Sequence, residues 1–212
     1  MKKITNALLA GLLAGSVNVT AQTPSQNKPV ELGYNALEAL GTSQGDARIR
    51  GLTNIDVPIG KVKPGFHGLN ELTFTSDART LDTYFGRNVL TLGIGDSKIA
   101  PVVILKMDKT GVFDAKYGIR YTNLPVCDYG FLDTGLGRNS GTFDVFCGKE
   151  KGRYTMEVFN STKLPYHGRP GNYMELQPYM RLGKGLSLMA RAEIDNKDFR
   201  KGRYLFGGVK KF

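Results

Sequence analysis

The chain has 212 residues, a net charge of +10, 27 glycines, two cysteines and no tryptophan. This length suits one domain with a complete core, and so many glycines favour tight turns over long helices. The basic residues are spread along the chain rather than clustered beside stacking aromatics, so we expect no nucleic-acid partner.

The first 21 residues predict a signal peptide. They contain Lys2 and Lys3, a short apolar stretch, and the small-residue pattern of residues 19–21 before a cleavage site. Asn6 and Ser16 interrupt the apolar stretch, which makes a membrane anchor the weaker reading. Removing the two lysines lowers the net charge from +10 to +8, and the mature chain is expected to be exported.

Three regions follow from this division. Residues 1–21 are the signal peptide, residues 22–46 are a polar leader, and residues 47–212 are a β-domain. Within the leader, residues 31–41 fit either a short helix closed by Gly41 or an extra strand, and the sequence leaves both open.

From residue 47 onward, alternating side chains predict an all-β domain. The alternation indicates ten strands, over residues 47–58, 66–75, 80–94, 101–107, 112–122, 142–148, 153–161, 172–182, 186–195 and 202–212. Pro178 lies in the middle of one of them, where its missing N–H calls for a local bulge.

The segment VFDAKYGIRYTN, residues 112–123, has the clearest alternation. One face carries Phe113, Ala115, Tyr117, Ile119 and Tyr121, and the other carries Asp114, Lys116, Gly118, Arg120 and Thr122. Nine residues of strand span about 27–30 Å, close to the apolar band of about 25 Å on a transmembrane barrel. We therefore interpret the first face as lipid-facing, with Phe113 and Tyr121 in the two aromatic girdles. A soluble barrel or sandwich would turn the same alternation inside out.

Connection lengths alternate along these ten strands. The longer connections are residues 60–65, 95–101, 123–141, 162–171 and 196–202, and the shorter ones are 76–79, 108–111, 148–152 and 183–185. This pattern predicts loops at one end and tight turns at the other, as in bacterial outer-membrane barrels. It places 123–141 and 162–171 outside the cell, and 148–152 and 183–185 in the periplasm together with both termini.

The chain ends on an apparent strand whose last residue is Phe212. With the signal peptide and the meander, this end resembles bacterial outer-membrane β-barrel proteins, whose terminal aromatic acts as an assembly signal. Lys210 departs from the class, whose members often carry an aromatic at that position. The resemblance implies a transmembrane antiparallel up-and-down barrel of about ten strands, with eight or twelve as alternatives. It also implies an outer-membrane location, and outer-membrane lipid, lipopolysaccharide and the barrel-assembly machinery as partners.

The inward faces collect charges of both signs. They carry Arg48, Arg50, Asp56, Asp114, Lys116, Arg120, Asp144, Arg153, Glu157, Glu175, Arg181, Arg191, Glu193, Asp195 and Arg203. Because buried charges are costly unless paired, we expect salt bridges that plug a narrow lumen. If a water path remains, the arginine excess would favour anions. The predicted function is a narrow or plugged barrel that passes or binds an unknown small solute, or that serves surface interactions.

The two cysteines lie 20 residues apart on either side of a turn signal at Gly137. A hairpin folding there would bring Cys127 and Cys147 together, and export permits oxidation. We expect a disulfide that staples an extended hairpin projecting from the barrel.

Two further functions remain open. An outer-membrane hydrolase acting on lipid or peptide would use His67 or His167, although neither lies in a catalytic sequence motif and no catalytic residue is assigned. A soluble exported ligand-binding barrel is the other. No cofactor or metal site is predicted, since two thiols without a histidine cluster make a poor zinc site.

Overall fold

The computed structural model describes residues 31–212 except 33–34, 43–44, 76–80 and 197–202. The predicted signal peptide and the first part of the leader lie outside the described residues, so these two boundaries stay predictions. Within the described ranges, no helix has the length and apolar character needed to cross a membrane.

The described chain consists of antiparallel β-strands. Their bounds are β1 Glu31–Leu32, β2 Ala36–Thr42, β3 Ala47–Asp56, β4 Val62–Phe74, β5 Leu81–Ile94, β6 Ile99–Asp108, β7 Gly111–Thr122, β8 Tyr129–Gly137, β9 Ser140–Lys151, β10 Tyr154–Pro165, β11 Gly171–Gly183, β12 Leu186–Asp195 and β13 Arg203–Lys211.

Strands β2 to β13 form a closed ring of twelve. Each strand pairs with the next along the chain, and the pairing of β13 with β2 closes the ring. The two residues of β1 pair with the last part of β3, past the start of β2, so that Glu31 is paired with Asp56. The fold is thus an all-β antiparallel barrel, and the prediction of about ten strands is corrected to twelve.

The two unpredicted wall strands are β2 and β8. The segment left open at 31–41 forms most of β2, and the presumed long loop 123–141 contains all of β8. Gly130, Gly135 and Gly137 give β8 the composition of a turn. In the barrel, however, an added Cβ at Gly130 would lie 2.3 Å from the Phe146 carbonyl oxygen on β9. The glycine permits a close approach of two strands.

The additional strands β2 and β8 overturn the predicted pattern of connections. The start of β2 and the end of β13 lie at one end of the barrel, the terminal rim, with the connections 57–61, 95–98, 123–128, 152–153 and 184–185. The opposite rim carries the connections 109–110, 138–139 and 166–170, and there the chain also passes from β2 to β3, from β4 to β5 and from β12 to β13. Crossing the wall at β2 and again at β8 exchanges the rims of the connections between these two strands, such as 57–61 and 95–98. The connections 152–153, 166–170 and 184–185 keep the predicted rim relative to the chain ends, so long and short connections occur at both rims.

The barrel wall is apolar outside and charged inside. On β7, Tyr117 and Ile119 are exposed on the outer face, whereas Lys116 and Arg120 are buried inside. Tyr121 is half-buried on the outer side of the same strand, and the side chain of Phe113 lies outside the described parts of the chain. This polarity is the reverse of a soluble barrel, in which the apolar face would fill the interior.

Pro178 interrupts one ladder without a bulge. In the ladder between β11 and β12, Leu176 pairs with Ala192 and Tyr179 pairs with Met189, in the same register. The two positions between these pairs are not paired. The pairing of Pro178 with Met156 on the other side is kept. A proline has no N–H to donate, so the ladder opens locally where a bulge had been predicted.

Candidate functional site

The candidate site is the barrel interior. A cavity of about 1010 Å³ runs between the inward side chains of both halves of the barrel, so the lumen is not completely filled. Among the described residues, no group of three or more histidine, cysteine or acidic side chains is arranged to hold a metal ion.

One half of the interior holds a cluster of arginines and glutamates, here called the glutamate cluster. Arg50 donates from Nη1 and Nη2 to the two carboxylate oxygens of Glu175, both at 2.9 Å, and from Nε to Glu71 at 2.9 Å. Arg48 donates to Glu193 at 2.7 Å and contacts Glu71 at 3.3 Å. The cluster comprises Glu38, Arg48, Arg50, Glu71, Glu175, Arg191 and Glu193.

Arg191 is the centre of this cluster, with a side chain that is fully buried. It donates to Glu38 and approaches Glu71 at 3.3 Å. The Nε atoms of Arg48 and Arg191 are buried with no hydrogen-bond partner among the described residues. Every member of the cluster takes part in an ion pair, but three arginines face four glutamates, and two guanidinium N–H donors have no acceptor in the described part of the chain.

The other half of the interior holds the aspartate cluster. Arg120 donates to both oxygens of Asp133, at 2.7 and 2.8 Å, and Arg87 donates from Nη2 to Asp133 and Asp144, each at 2.8 Å. Ser161 also donates to Asp144, at 2.7 Å. Both aspartates are fully buried, and paired arginines supply the compensation that such burial requires.

A row of phenylalanine side chains lines the cavity beside the aspartate cluster. Phe131, Phe146 and Phe159 face each other in register on β8, β9 and β10. The ring centroids of Phe131 and Phe146 are 5.5 Å apart, and Tyr129 extends the row, 6.0 Å from Phe146. The guanidinium carbon of Arg120 lies 4.1 Å from the centroid of Phe131.

Glu157 lies inside the barrel next to this row and is held differently from the other buried acids. Its carboxylate accepts hydrogen bonds from the hydroxyls of Tyr129, at 2.6 Å, and Tyr179, at 2.9 Å. None of the ion pairs among the described residues includes it, although its side chain is 3% exposed and lines the cavity.

Apolar side chains fill part of the bore along one side of the barrel. The buried group comprises Ala36, Leu40, Tyr179, Met189, Leu205 and Val209. Because these residues lie on four consecutive strands of the ring, β11, β12, β13 and β2, they narrow the cavity from one side only.

The structure brings most of the sequence-predicted charges together. Arg48, Arg50, Lys116, Arg120, Asp144, Glu157, Glu175, Arg191 and Glu193 are buried inside. Asp114 is half-buried and pairs with Lys116. Arg181 instead lies exposed at the terminal rim, 2.6 Å from Glu150, so it does not belong to the central set. The buried described side chains include seven acids and six cations, which removes the expected arginine excess.

Four central charges were missed by sequence reasoning. Glu38 and Asp133 lie on β2 and β8, the two strands that were not recognised. Glu71 and Arg87 lie on recognised strands. The alternation of β4 places Glu71 on the same face as His67 and Thr73, so period-two reading could have found it.

The two histidines differ in their surroundings. His67 lines the cavity, with Nδ1 3.0 Å from Asn54 Oδ1 and Nε2 3.5 Å from Thr91 Oγ1. His167 lies exposed in the 166–170 connection on the opposite rim. Of the two histidines, only His67 therefore has a hydroxyl, that of Thr91, next to one ring nitrogen and an orienting side chain, that of Asn54, next to the other.

The disulfide between Cys127 and Cys147 is confirmed, with a Cα–Cα distance of 5.4 Å. It joins the 123–128 connection to β9, where Cys147 is paired with Gly130. The hairpin β8–β9 lies in the barrel wall, so the prediction that it projects outward is wrong. Phe212 is exposed beside the terminal rim, and its N–H donates to the Asn35 carbonyl at 3.0 Å.

Comparison with known proteins supports the fold alone. No known protein family matches the sequence, and no curated protein matches it. Among solved structures, a KdgM porin is 12% identical with a TM-score of 0.53, over 85% of this chain and 99% of the porin. A chain from work described as "Unveiling the Mechanism Behind the in-meso Crystallization of Membrane Proteins" is 7% identical with a TM-score of 0.52, over 85% and 83%. The chain therefore has the closed antiparallel barrel fold of which a porin is one example.

Proposed function

We propose that this protein is a bacterial outer-membrane barrel that carries small polar solutes through its charged lumen. The observation that carries the proposal is the polarity of the wall, with apolar side chains outside and paired charges around a cavity inside. An apolar outer face suits contact with outer-membrane lipid and lipopolysaccharide. In the described part of the chain each strand from β2 to β13 also pairs with a neighbour on both sides, as a membrane-spanning barrel requires. The barrel-assembly machinery would insert such a chain.

The lumen favours a narrow pathway over a wide pore. Porins with open channels use about 16–18 strands, whereas this ring has twelve, and ion pairs and apolar side chains occupy part of the bore. The near balance of buried acids and cations argues against strong selectivity for anions. We therefore expect small conductance steps.

Reconstitution of the mature chain in planar bilayers tests this function. Small, reproducible steps from protein that fractionates with outer membranes are the expected result. Recovery in the soluble periplasm would contradict the location, and silent bilayers from correctly folded protein would contradict solute passage. A Phe212 deletion should reduce assembly without changing the steps of the molecules that do insert.

A hydrolase is the second candidate, and one observation favours it. Thr91, His67 and Asn54 form a chain of hydroxyl, imidazole and amide, which is the order of nucleophile, base and orienting group. Hydrolysis of phospholipid vesicles or ester substrates by the purified barrel tests it. Activity lost in His67→Ala and kept in His167→Ala would support a hydrolase, whereas equal activity in both variants would exclude His67 chemistry.

A further inference from the structure

We propose that the barrel interior binds an organic cation, with Glu157 as its counter-charge and the rings of Tyr129, Phe146 and Phe159 as its wall. The proposal deepens the proposed function by naming the solute class, and to that extent it rests on the lumen being the solute site. All four side chains line the same cavity.

Glu157 is a buried acid that forms no ion pair with an arginine of the described chain. Its side chain is 3% exposed, and its two hydrogen-bond partners are neutral tyrosine hydroxyls. The other buried glutamates and aspartates are paired with arginine. A protein cation in the cavity, the ammonium of Lys211, interacts electrostatically with Glu157 and lies 5.9 Å from the ring of Tyr179. Because a buried carboxylate is stabilised most by a cation in direct contact, a bound cation in the adjoining cavity would complete this site.

Three aromatic rings form the wall beside Glu157. Phe146 lies 6.0 Å from Tyr129 and in register with Phe159, so ring surface lines one side of the cavity next to the carboxylate. Aromatic faces attract cations, and most strongly where water is excluded. The same row already binds two cations of the protein. The guanidinium of Arg120 lies over Phe131 at 4.1 Å, and that of Arg87 lies 5.8 Å from the Phe131 centroid and 6.0 Å from that of Phe159.

The site fits an organic cation better than a metal ion. The described residues offer no group of three acidic, histidine or cysteine side chains for a metal. A hard inorganic cation would need an oxygen shell of six or more ligands. A large, weakly hydrated ammonium instead gains from ring faces and one carboxylate. The cavity of about 1010 Å³ has room for such a molecule.

Calorimetric titration of the detergent-solubilised full mature barrel tests the inference. The probes are choline and its uncharged isostere 3,3-dimethylbutan-1-ol. We expect choline to bind at least about ten-fold more tightly than the isostere, because only choline carries the charge. Equal binding of both probes, or no binding of choline, would overturn the inference.

Variants locate the site. Glu157→Gln should weaken choline binding about ten-fold or more and leave binding of the isostere unchanged. Glu150→Gln is the matched control, since Glu150 lines the same cavity but pairs with Arg181 at the terminal rim. Equal losses in the two variants would mean a diffuse charge effect and would overturn the assignment.

A second variant guards against misfolding of Glu157→Gln. Phe146→Leu keeps the charge and removes one ring, and it should weaken choline binding about three- to ten-fold. Unchanged affinity in this variant would remove the aromatic wall from the site.

Binding in detergent does not need conduction, so choline binding with silent bilayers would refute only the channel. Conduction without choline binding would refute only this inference.

Discussion

Arg50 on β3 and Glu175 on β11 form a bidentate ion pair across the lumen, with both N–O distances at 2.9 Å. Their strands are separated by β2, β13 and β12 in the ring, so this contact joins parts of the wall that share no ladder. The Arg87–Asp144 pair joins β5 to β9 in the same way, at 2.8 Å. Paired charges thus connect the barrel across its interior as well as around its circumference.

Replacing Arg50 with alanine should destabilise the barrel strongly. Glu175 and Glu71 would each lose a buried cation, and breaking a buried pair costs about 3–5 kcal/mol. Urea unfolding in lipid vesicles measures this by gel migration without boiling, since the chain has no tryptophan to report folding by fluorescence.

Arg181→Ala is the control for that experiment. Its pair with Glu150 is exposed at the rim, and exposed ion pairs contribute about 0–1 kcal/mol. Equal losses of stability in the two variants would mean that the glutamate cluster does not hold the wall together.

A charge on the outer face should also be costly. Ala115 is exposed on the outer side of β7, and Ala115→Arg would place a cation against lipid at a cost of about 2–4 kcal/mol near the bilayer midplane. The same unfolding assay measures the loss. Ala115→Leu should leave stability nearly unchanged, and an equally mild effect of the arginine would mean that this face does not meet lipid.

The disulfide should matter to the whole barrel, because β8 and β9 belong to its wall. In protein purified without reductant, alkylation should add no mass at Cys127 or Cys147. The double change to serine should lower the unfolding free energy by about 3 kcal/mol for a loop of 20 residues. Two alkylated thiols in the unmodified protein would contradict the structure in this region.

Orientation in the membrane follows from the positions of the termini. Outer-membrane barrels of this kind keep both termini with the periplasmic turns, so the 166–170 connection should face outside and 184–185 should face the periplasm. On intact cells, a membrane-impermeant thiol reagent should label Arg169→Cys. Lys184→Cys should react only after the outer membrane is permeabilised, and the reverse pattern would invert the barrel.

Sequence reading succeeded where alternation was clean. Lys116 and Arg120 alternate with Tyr117 and Ile119, and this period of two placed each side chain on its correct face without knowledge of the strand count. Neither the membrane nor the cross-lumen pairing is visible in such a pattern, because it gives the direction of a side chain and not its partner.

The strand count failed for a physical reason that involves glycine. Three glycines in β8 give the composition of a turn, although at least Gly130 serves close packing against β9. The two unrecognised strands, β2 and β8, exchanged the barrel ends of the connections between them, whereas the later connections 152–153, 166–170 and 184–185 lie at their predicted ends relative to the termini. Asp133 was missed because β8 was not recognised as a strand, and Glu38 was missed because the segment around β2 was left open. Two of the charges that pair inside the barrel could therefore not be assigned.

The bond between Cys127 and Cys147 also constrains the order in which the wall is built. It encloses all of β8 and the first part of β9 in one covalent ring. If the bond forms in the periplasm before insertion, β8 and β9 are already tethered to each other when they reach the membrane. We then expect the β8–β9 hairpin to join the barrel as one unit.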